Sequence, residues 1–203
     1  MVRRAASRAA ALVLAVVLAG CAASQPAVSR DAPGLDSASA DVRRESANRL
    51  AGARVADDAL RTQLVRRLSV LAQSDPEPLV RSASLNAVGT QDPEAALDLA
   101  RRVRTDASAM VRRDAVLVLA RRVDGPRIDA LIELARDDDP DVRTEATRAL
   151  GHADEPRVIN VLLERLDDVE PSVQHAAREG LIRHAGGTVD FGTSRANWEQ
   201  WWK

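Results

Sequence analysis

The chain has 203 residues, with 29 Lys and Arg against 30 Asp and Glu, a net charge of −1, and 45% of its residues are hydrophobic. The balanced charge argues against a dedicated nucleic-acid binder, which would show a basic excess, and the hydrophobic content excludes an acidic disordered chain. Residues 1–190 contain no aromatic side chain on which a base, a sugar or a flavin could stack.

The N-terminus has the pattern of an export signal. Arg3, Arg4 and Arg8 precede an uncharged run of Ala, Val and Leu at 9–19. At 1.5 Å per residue this run spans about 17 Å, which is too short for a helix that crosses a bilayer. A signal peptide over residues 1–20 is therefore predicted.

The apolar run ends in Leu-Ala-Gly-Cys at 18–21, which resembles the lipobox of bacterial lipoproteins. The resemblance implies cleavage before Cys21, a diacylglycerol on its sulfur, and a place on the cell membrane or outer membrane facing the periplasm or exterior. The residue after Cys21 is Ala22 and not Asp, and in that family this favours a place on the outer membrane. An ordinary signal cut near Ala23 is the alternative. Residues 21–36, rich in Ala, Ser and Pro, are predicted to form a flexible tether.

A repeat of 31 residues fills most of the remaining chain. Each copy has an Asp five residues before a Val, a small residue four after it and an aliphatic residue eight after it. The spacing i, i+4, i+8 places the last three on one helix face. A looser copy begins at Val42, with Ser37 in place of the Asp. The regular copies are centred on Val80, Val111, Val142 and Val173.

A second amphipathic segment lies between successive Val helices, and three of these segments open near a Pro, at Pro93, Pro126 and Pro156. Gly89 and Gly151 are predicted to end helices. One helical hairpin cannot bury its apolar face alone, whereas stacked hairpins can. The pattern therefore predicts an all-α solenoid.

The repeat resembles the HEAT-like family, whose second helix carries an Asp and, six residues later, an Arg preceded by Val. The matches are Asp75-Val80-Arg81, Asp106-Val111-Arg112 and Asp137-Val142-Arg143. The resemblance covers about 41–185 and implies a right-handed α-solenoid of four to five hairpins, assigned to residues 37–185. The period is shorter than the ~40–47 residues of larger HEAT units. It is nearer to the short units of phycobilisome lyase-type proteins.

In the HEAT-like family the Asp of one repeat bonds to the Arg of the next. The resemblance implies that these charged residues form a structural ladder, which is favoured over contact with a ligand. Gln174 replaces the last Arg, as expected where no further repeat follows. The predicted ladder consists of Asp75, Arg81, Asp106, Arg112, Asp137, Arg143 and Asp168.

No residue is assigned to catalysis, to a cofactor or to a metal. His175 and His184 are nine residues apart, not the three or four of a helical metal pair. No Ser lies in a Gly-x-Ser-x-Gly elbow and no Gly-rich phosphate loop is present. The acidic run at 137–139 is interpreted as a solvated turn with an N-cap.

The C-terminal segment 186–203 differs from the repeats and holds all the aromatic residues. Trp198, Trp201 and Trp202 are spaced i, i+3, i+4, which is one helical face. With Phe191 they are predicted to cap the exposed end of the solenoid or to anchor a partner. The segment resembles a tail of bacterial HEAT-repeat lipoproteins, in which Asp-Phe-Gly precedes a Trp-x-x-Trp-Trp helix.

The sequence thus predicts a membrane-anchored, non-enzymatic scaffold of the bacterial cell envelope. It would bind protein partners on a concave surface lined by the second helices, without a cofactor, a metal or nucleic acid. One alternative is a bilin lyase-like enzyme, suggested by the short HEAT-like unit, although the export signal and the lack of aromatic residues in the repeats count against it. Another is a purely structural envelope component.

Overall fold

The structure, a computed structural model, describes residues 33–121 and 123–203. In this part of the chain the regular elements are ten α-helices and one 3-10 turn, Pro33–Asp36. The all-α repeat architecture predicted from the sequence is confirmed. The helices are α1 (Ala40–Gly52), α2 (Asp58–Ser74), α3 (Pro78–Gln91), α4 (Pro93–Val103), α5 (Ala109–Leu119), α6 (Gly125–Leu134), α7 (Pro140–Leu150), α8 (Arg157–Arg165), α9 (Pro171–His184) and α10 (Arg195–Trp202).

The odd-numbered helices α1 to α9 carry the Val of the repeat and are the second helices of the hairpins; α2, α4, α6 and α8 are the first helices. In the four regular copies the Val, the small residue and the aliphatic residue are all at most 3% exposed. Val42, the equivalent residue of the looser copy, is 40% exposed. The short turn Pro33–Asp36, rather than a full repeat, lies beside it.

The second helices form the tightly packed side of the stack. Each of them packs directly on the next, whereas α6 barely touches α4 or α8. Among the first helices α2 and α4 are in direct contact, but α6 and α8 are joined mainly by long side chains, such as Arg136 and Glu164 at 2.9 Å. A stack that is closer on one side curves toward that side, so the second helices line the inner, concave surface.

Two glycines allow the close approach of neighbouring repeats. Gly151 is the C-cap of α7, so the prediction that it ends a helix is confirmed, whereas the same prediction for Gly89 is wrong. Gly89 lies buried inside α3, where a methyl group would come within 2.6 Å of the Arg121 guanidinium. Gly151 follows α7 with a right-handed φ of −60°, and a methyl group there would lie 2.8 Å from the Cα of Gly180. Arg183 donates to the Gly151 carbonyl at 3.1 Å. These positions are small because the next repeat lies against them.

The folded part begins earlier than the predicted tether allows. The sequence predicts a flexible tether through residue 36, but residues 33–36 form the 3-10 turn, and Leu35 is 1% exposed within the core. Asp36 also pairs with Arg67 of α2. Burial of the Leu35 side chain stabilises this turn against the body.

No helix within 33–121 or 123–203 is both long and apolar enough to cross a bilayer. The predicted signal peptide, Cys21 and the tether up to residue 32 lie outside the described residues.

Candidate functional site

The Asp and Arg of the repeat form a ladder of ion pairs along the stack. Arg112 donates its Nε and Nη2 to the two carboxylate oxygens of Asp137, both at 2.7 Å, and its Nη1 to the carbonyl of Asp106 at 2.8 Å. Asp137 also accepts the N–H of Asp139 at 2.9 Å. Equivalent pairs join Arg43 to Asp75, Arg81 to Asp106 and Arg143 to Asp168.

Each rung joins the Arg of one repeat to the Asp of the following repeat. The order implied by the family resemblance, in which the Asp of one repeat bonds to the Arg of the next, is therefore wrong. Within its own repeat each ladder Arg bonds only to backbone carbonyls; for example, Arg81 donates to the Asp75 carbonyl at 2.8 Å. Arg43, from the looser copy, supplies the first rung, which the predicted ladder omits.

The two ends of the ladder keep part of this geometry. Ser37, in place of the Asp, accepts Arg43 Nη1 at its carbonyl at 2.8 Å and the Ser39 N–H at its hydroxyl at 3.2 Å. Gln174, in place of the Arg, donates to the Asp168 carbonyl at 2.7 Å. Each substitute therefore preserves the turn while lacking the charge.

A further Asp–Arg pair lies beyond the last repeat. Arg178 Nε donates to Asp190 at 2.8 Å, and Asp190 also accepts the Gly192 N–H at 2.9 Å. These hydrogen bonds, with the Arg178 charge, lower the pKa of Asp190 to about 2. The turn before α10 thus contains an Arg–Asp pair like those of the ladder, but its Arg comes from a different position of the second helix. Because this pair does not follow the 31-residue spacing, the sequence repeat did not reveal it.

The ladder carboxylates stay charged although they are largely buried. Burial acts to raise the pKa of Asp137, but the hydrogen bonds from Arg112 and from the Asp139 N–H, with the charges of Arg112 and Arg143, hold it below its ordinary value. The same balance lowers the pKa of the other three ladder aspartates. Since every guanidinium nitrogen of Arg112 already donates within the protein, we infer that the ladder is structural.

The three histidines have different surroundings. His175 lies 3.2 Å from Glu179 on the surface of α9, and His152 is exposed just beyond the end of α7. His184 is partly buried, and that burial lowers its pKa. In the described part of the chain, no three His, Cys, Asp or Glu residues are grouped so that they could hold a metal ion.

A cleft of about 480 Å³ opens on the inner surface between α5 and α7. Its floor is apolar, with Val116 0% and Ala149 6% exposed, and Leu117 stands at its wall with 42% of its surface exposed. On the opposite wall, Arg148 and Glu145 of α7 pair with each other at 2.7 Å. The lining residues are Val116, Leu117, Ala120, Arg121, Val123, Glu145, Arg148, Ala149 and His152.

Sequence reasoning assigned no role to this cleft. Leu117 is the one apolar residue on the outward stripe of α5 between Arg113 and Arg121, and that spacing is visible in the sequence. Its significance depends on α7 forming the opposite wall, which only the packing of the repeats shows.

The C-terminal tryptophans divide into one buried and two exposed side chains. Trp198 is 1% exposed, donates its Nε1 to the Gly192 carbonyl at 2.9 Å and meets Phe191 edge-to-face at 5.0 Å. Trp201 and Trp202 are 41% and 42% exposed. The predicted stripe is therefore divided, because Trp198 packs beside the turn at Gly192 while Trp201 and Trp202 lie in the last turn of α10.

The direction of α10 also differs from that of the first helices. Arg195, its first residue, pairs at 2.9 Å with Asp167, which follows the end of α8. Between repeats the register is parallel, since Arg157 at the start of α8 pairs with Asp129 near the start of α6 at 2.5 Å. The start of α10 therefore lies at the end of α8, and α10 is not the first helix of another regular repeat.

The comparisons with known proteins agree with this architecture. Residues 99–182 match a sequence model described as HEAT repeats. No curated protein matches the chain.

Solved structures with a similar fold include both natural and designed proteins. The structure of YibA from Escherichia coli aligns with a TM-score of 0.69 and 20% identity over 80% of this chain and 61% of its own, so this chain spans less than two thirds of YibA. An engineered protein aligns with a TM-score of 0.54 and 19% identity over 85% and 94%. A designed armadillo repeat protein in complex with the peptide (KR)4 aligns with a TM-score of 0.53 and 18% identity over 83% of each chain. Residues 99–182 therefore carry HEAT repeats, and the repeated Asp and Val-Arg motif and the stacked hairpins make the fold of the described residues similar to that of HEAT and armadillo repeat proteins.

Proposed function

We propose that this protein is a lipid-anchored, non-enzymatic scaffold that binds a partner protein on the inner surface of its repeats in the bacterial cell envelope. The observation that carries the proposal is the cleft between α5 and α7, where Leu117 is 42% exposed above an apolar floor. Exposed apolar side chains with a polar surround are typical of protein-binding surfaces. Repeat proteins of this type bind through surface shape rather than through a chemical site.

The ladder supports this function by holding the inner surface rigid. Every regular second helix from α3 to α7 is tied to the following repeat by a two-pronged Arg–Asp pair. A surface that is already ordered loses less conformational entropy when a partner binds. The designed armadillo repeat protein shows that stacked helices can hold a peptide, here (KR)4.

The anchoring part of the proposal rests on the sequence around Cys21. This is the single Cys of the chain, and it follows Leu-Ala-Gly after the basic start and apolar run. Eleven residues, 22–32, separate it from the first described residue. A flexible segment of this length has a root-mean-square reach of about 18 Å, which would keep the repeats close to the membrane surface.

Mass spectrometry of the protein purified from bacterial membranes tests the anchor. We expect the mature chain to begin at Cys21 and to carry the mass of a diacylglycerol. The Cys21→Ser variant should lack this mass and leave the membrane fraction, whereas Ser24→Ala should behave as the wild type. A wild-type chain with an unmodified amino terminus would exclude lipid anchoring.

Photocrosslinking in intact cells tests the binding surface. A photoreactive amino acid is placed at Leu117, on the inner surface, or at Val70, a 62% exposed residue of the first helix α2. We expect a discrete crosslinked protein, identified by mass spectrometry, from position 117 and not from position 70. The same products from both positions, or none from position 117, would contradict a partner on the inner surface.

A further inference from the structure

The exposed stripe of α5 combines two cations with an aliphatic side chain. Arg113 and Leu117 lie one turn apart on α5, Arg121 follows two residues after the end of this helix, with its guanidinium near Gly89 of α3, and all three residues are exposed. The backbone positions of the two arginines are eight residues apart, which corresponds to about 12 Å at the rise of an α-helix. An extended peptide covers this distance in about four residues, at ~3.3 Å each.

These two arginines lack internal partners, unlike the ladder arginines. Neither side chain forms an ion pair or a hydrogen bond with any residue in 33–121 or 123–203. The acidic groups nearby are already engaged, since Asp114 accepts the Ser82 hydroxyl and Glu145 pairs with Arg148. The stripe therefore presents positive charge that the protein itself does not neutralise.

The opposite wall of the cleft carries Arg148 of α7 and, just beyond the end of that helix, His152. Both are exposed, and Arg148 is paired with Glu145, so the unpaired positive charge beside the cleft comes from Arg113 and Arg121. The chain as a whole carries a net charge of −1, so its attraction for an anion is local to this surface and not a property of the whole molecule.

We propose that the exposed surface formed by Arg113, Leu117 and Arg121, beside the cleft between α5 and α7, binds an extended acidic peptide segment in which two carboxylates flank an aliphatic side chain. The aliphatic side chain contacts Leu117 and the apolar floor, while the carboxylates bind Arg113 and Arg121. In an extended peptide, residues i, i+2 and i+4 point to the same side, which matches this order of charges. This inference rests on the proposed function, because it names the chemistry of the partner.

Fluorescence anisotropy with a labelled seven-residue peptide tests the proposal. The peptide has Glu at its second and sixth positions, Leu at its fourth and Gly elsewhere, and is titrated with the full-length protein. We expect the combined Arg113→Gln and Arg121→Gln variant to bind about tenfold more weakly, and binding by the wild type to weaken as salt is raised. A peptide with Gln in place of both Glu should bind weakly to every form of the protein.

The matched control replaces Arg101 and Arg102, which are exposed on the first helix α4, by Gln. This variant should bind the acidic peptide as the wild type does. An equal loss in both double variants, or equal binding of the Glu and Gln peptides, would overturn the proposal. Binding of phosphatidylglycerol vesicles through Arg113 and Arg121, without binding of the peptide, would overturn it as well and assign the stripe to a lipid surface.

The crosslinking experiment separates this inference from the proposed function. If position 117 captures the same partner when Arg113 and Arg121 are both replaced by Gln, the acidic-peptide proposal fails and the scaffold function stands. If position 117 captures nothing in the wild type, the scaffold function fails. The peptide titration uses purified protein, and its result is obtained independently of either outcome.

Discussion

Replacing Arg112 by Ala should lower stability by removing the central rung of the ladder. The substitution deletes two hydrogen bonds to Asp137 and one to the Asp106 carbonyl, at 2.7, 2.7 and 2.8 Å. The Asp137 side chain is only 9% exposed, so its carboxylate would keep the Asp139 N–H as a partner without regaining full hydration. Leaving a buried charge underpaired costs more than the pair itself contributes.

A hydrogen bond to a charged group contributes about 1.5–3 kcal/mol net of its exchange with water. Because the pair is partly exposed and Asp137 keeps one partner, we expect a loss of about 2–3 kcal/mol in the free energy of unfolding. For a chain of this size that corresponds to a fall in melting temperature of about 4–12 °C. Circular dichroism at 222 nm during heating, supported by urea unfolding, measures both quantities.

The neighbouring residue provides the control. Arg113 is exposed and makes no ion pair or hydrogen bond within the described residues, so Arg113→Ala should change stability by no more than about 0.5 kcal/mol. Arg112→Lys should fall between the two, because an ammonium keeps the charge but not the two-pronged geometry. Equal stability of the Arg112→Ala and Arg113→Ala variants would refute the structural assignment, especially if only Arg112→Ala abolished partner binding.

Three other perturbations probe the remaining parts of the structure. Trp198→Ala should cost about 3–5 kcal/mol because the side chain is 1% exposed, whereas Trp202→Ala, at 42%, should cost less than about 1 kcal/mol; urea unfolding compares them, and equal losses would contradict the observed division. Gly151→Ala should destabilise by about 1–3 kcal/mol because its methyl group would lie 2.8 Å from the Gly180 backbone, while Gly52→Ala has open space and should be neutral or stabilising by thermal melts. The four ladder aspartates have a lowered pKa when folded, so their contribution to stability is fully present above the unfolded pKa of ~3.9 and is lost as pH falls through the folded values. Melting temperatures should therefore drop as pH falls below about 4, and a ladder contribution that does not change below this pH would contradict charged Arg–Asp pairs.

Much of the fold could be predicted because the repeat is local in sequence. The apolar face of α7, for example, follows from Val142, Ala146 and Leu150 at i, i+4 and i+8, and all three are fully buried. A spacing repeated four times fixes the same face on each second helix, and burial of those faces requires a stack. The residues of the ladder were visible for the same reason.

The candidate binding surface could be predicted only in part. The sequence places Arg113, Leu117 and Arg121 on one stripe of α5, but it does not say whether that stripe meets solvent or another helix. The cleft exists because α7 packs beside α5 and contributes Arg148 and His152. Charge alone would not separate these arginines from Arg112, which lies next to Arg113 and is fully engaged in the ladder.

The amino-acid sequence by itself determined the helical repeat, the buried positions of each second helix and the residues that carry opposite charges along the stack. The tertiary structure alone decided that each Arg bonds to the Asp of the following repeat, that Gly89 and Gly151 make room for neighbouring repeats, and that Trp198 is buried while Trp201 is exposed. The physical reason is the separation along the sequence over which each kind of interaction acts. Helical periodicity depends on residues within a few positions of one another, whereas pairing, close approach and burial at the end of the stack depend on how elements more than 20 residues apart are placed in space.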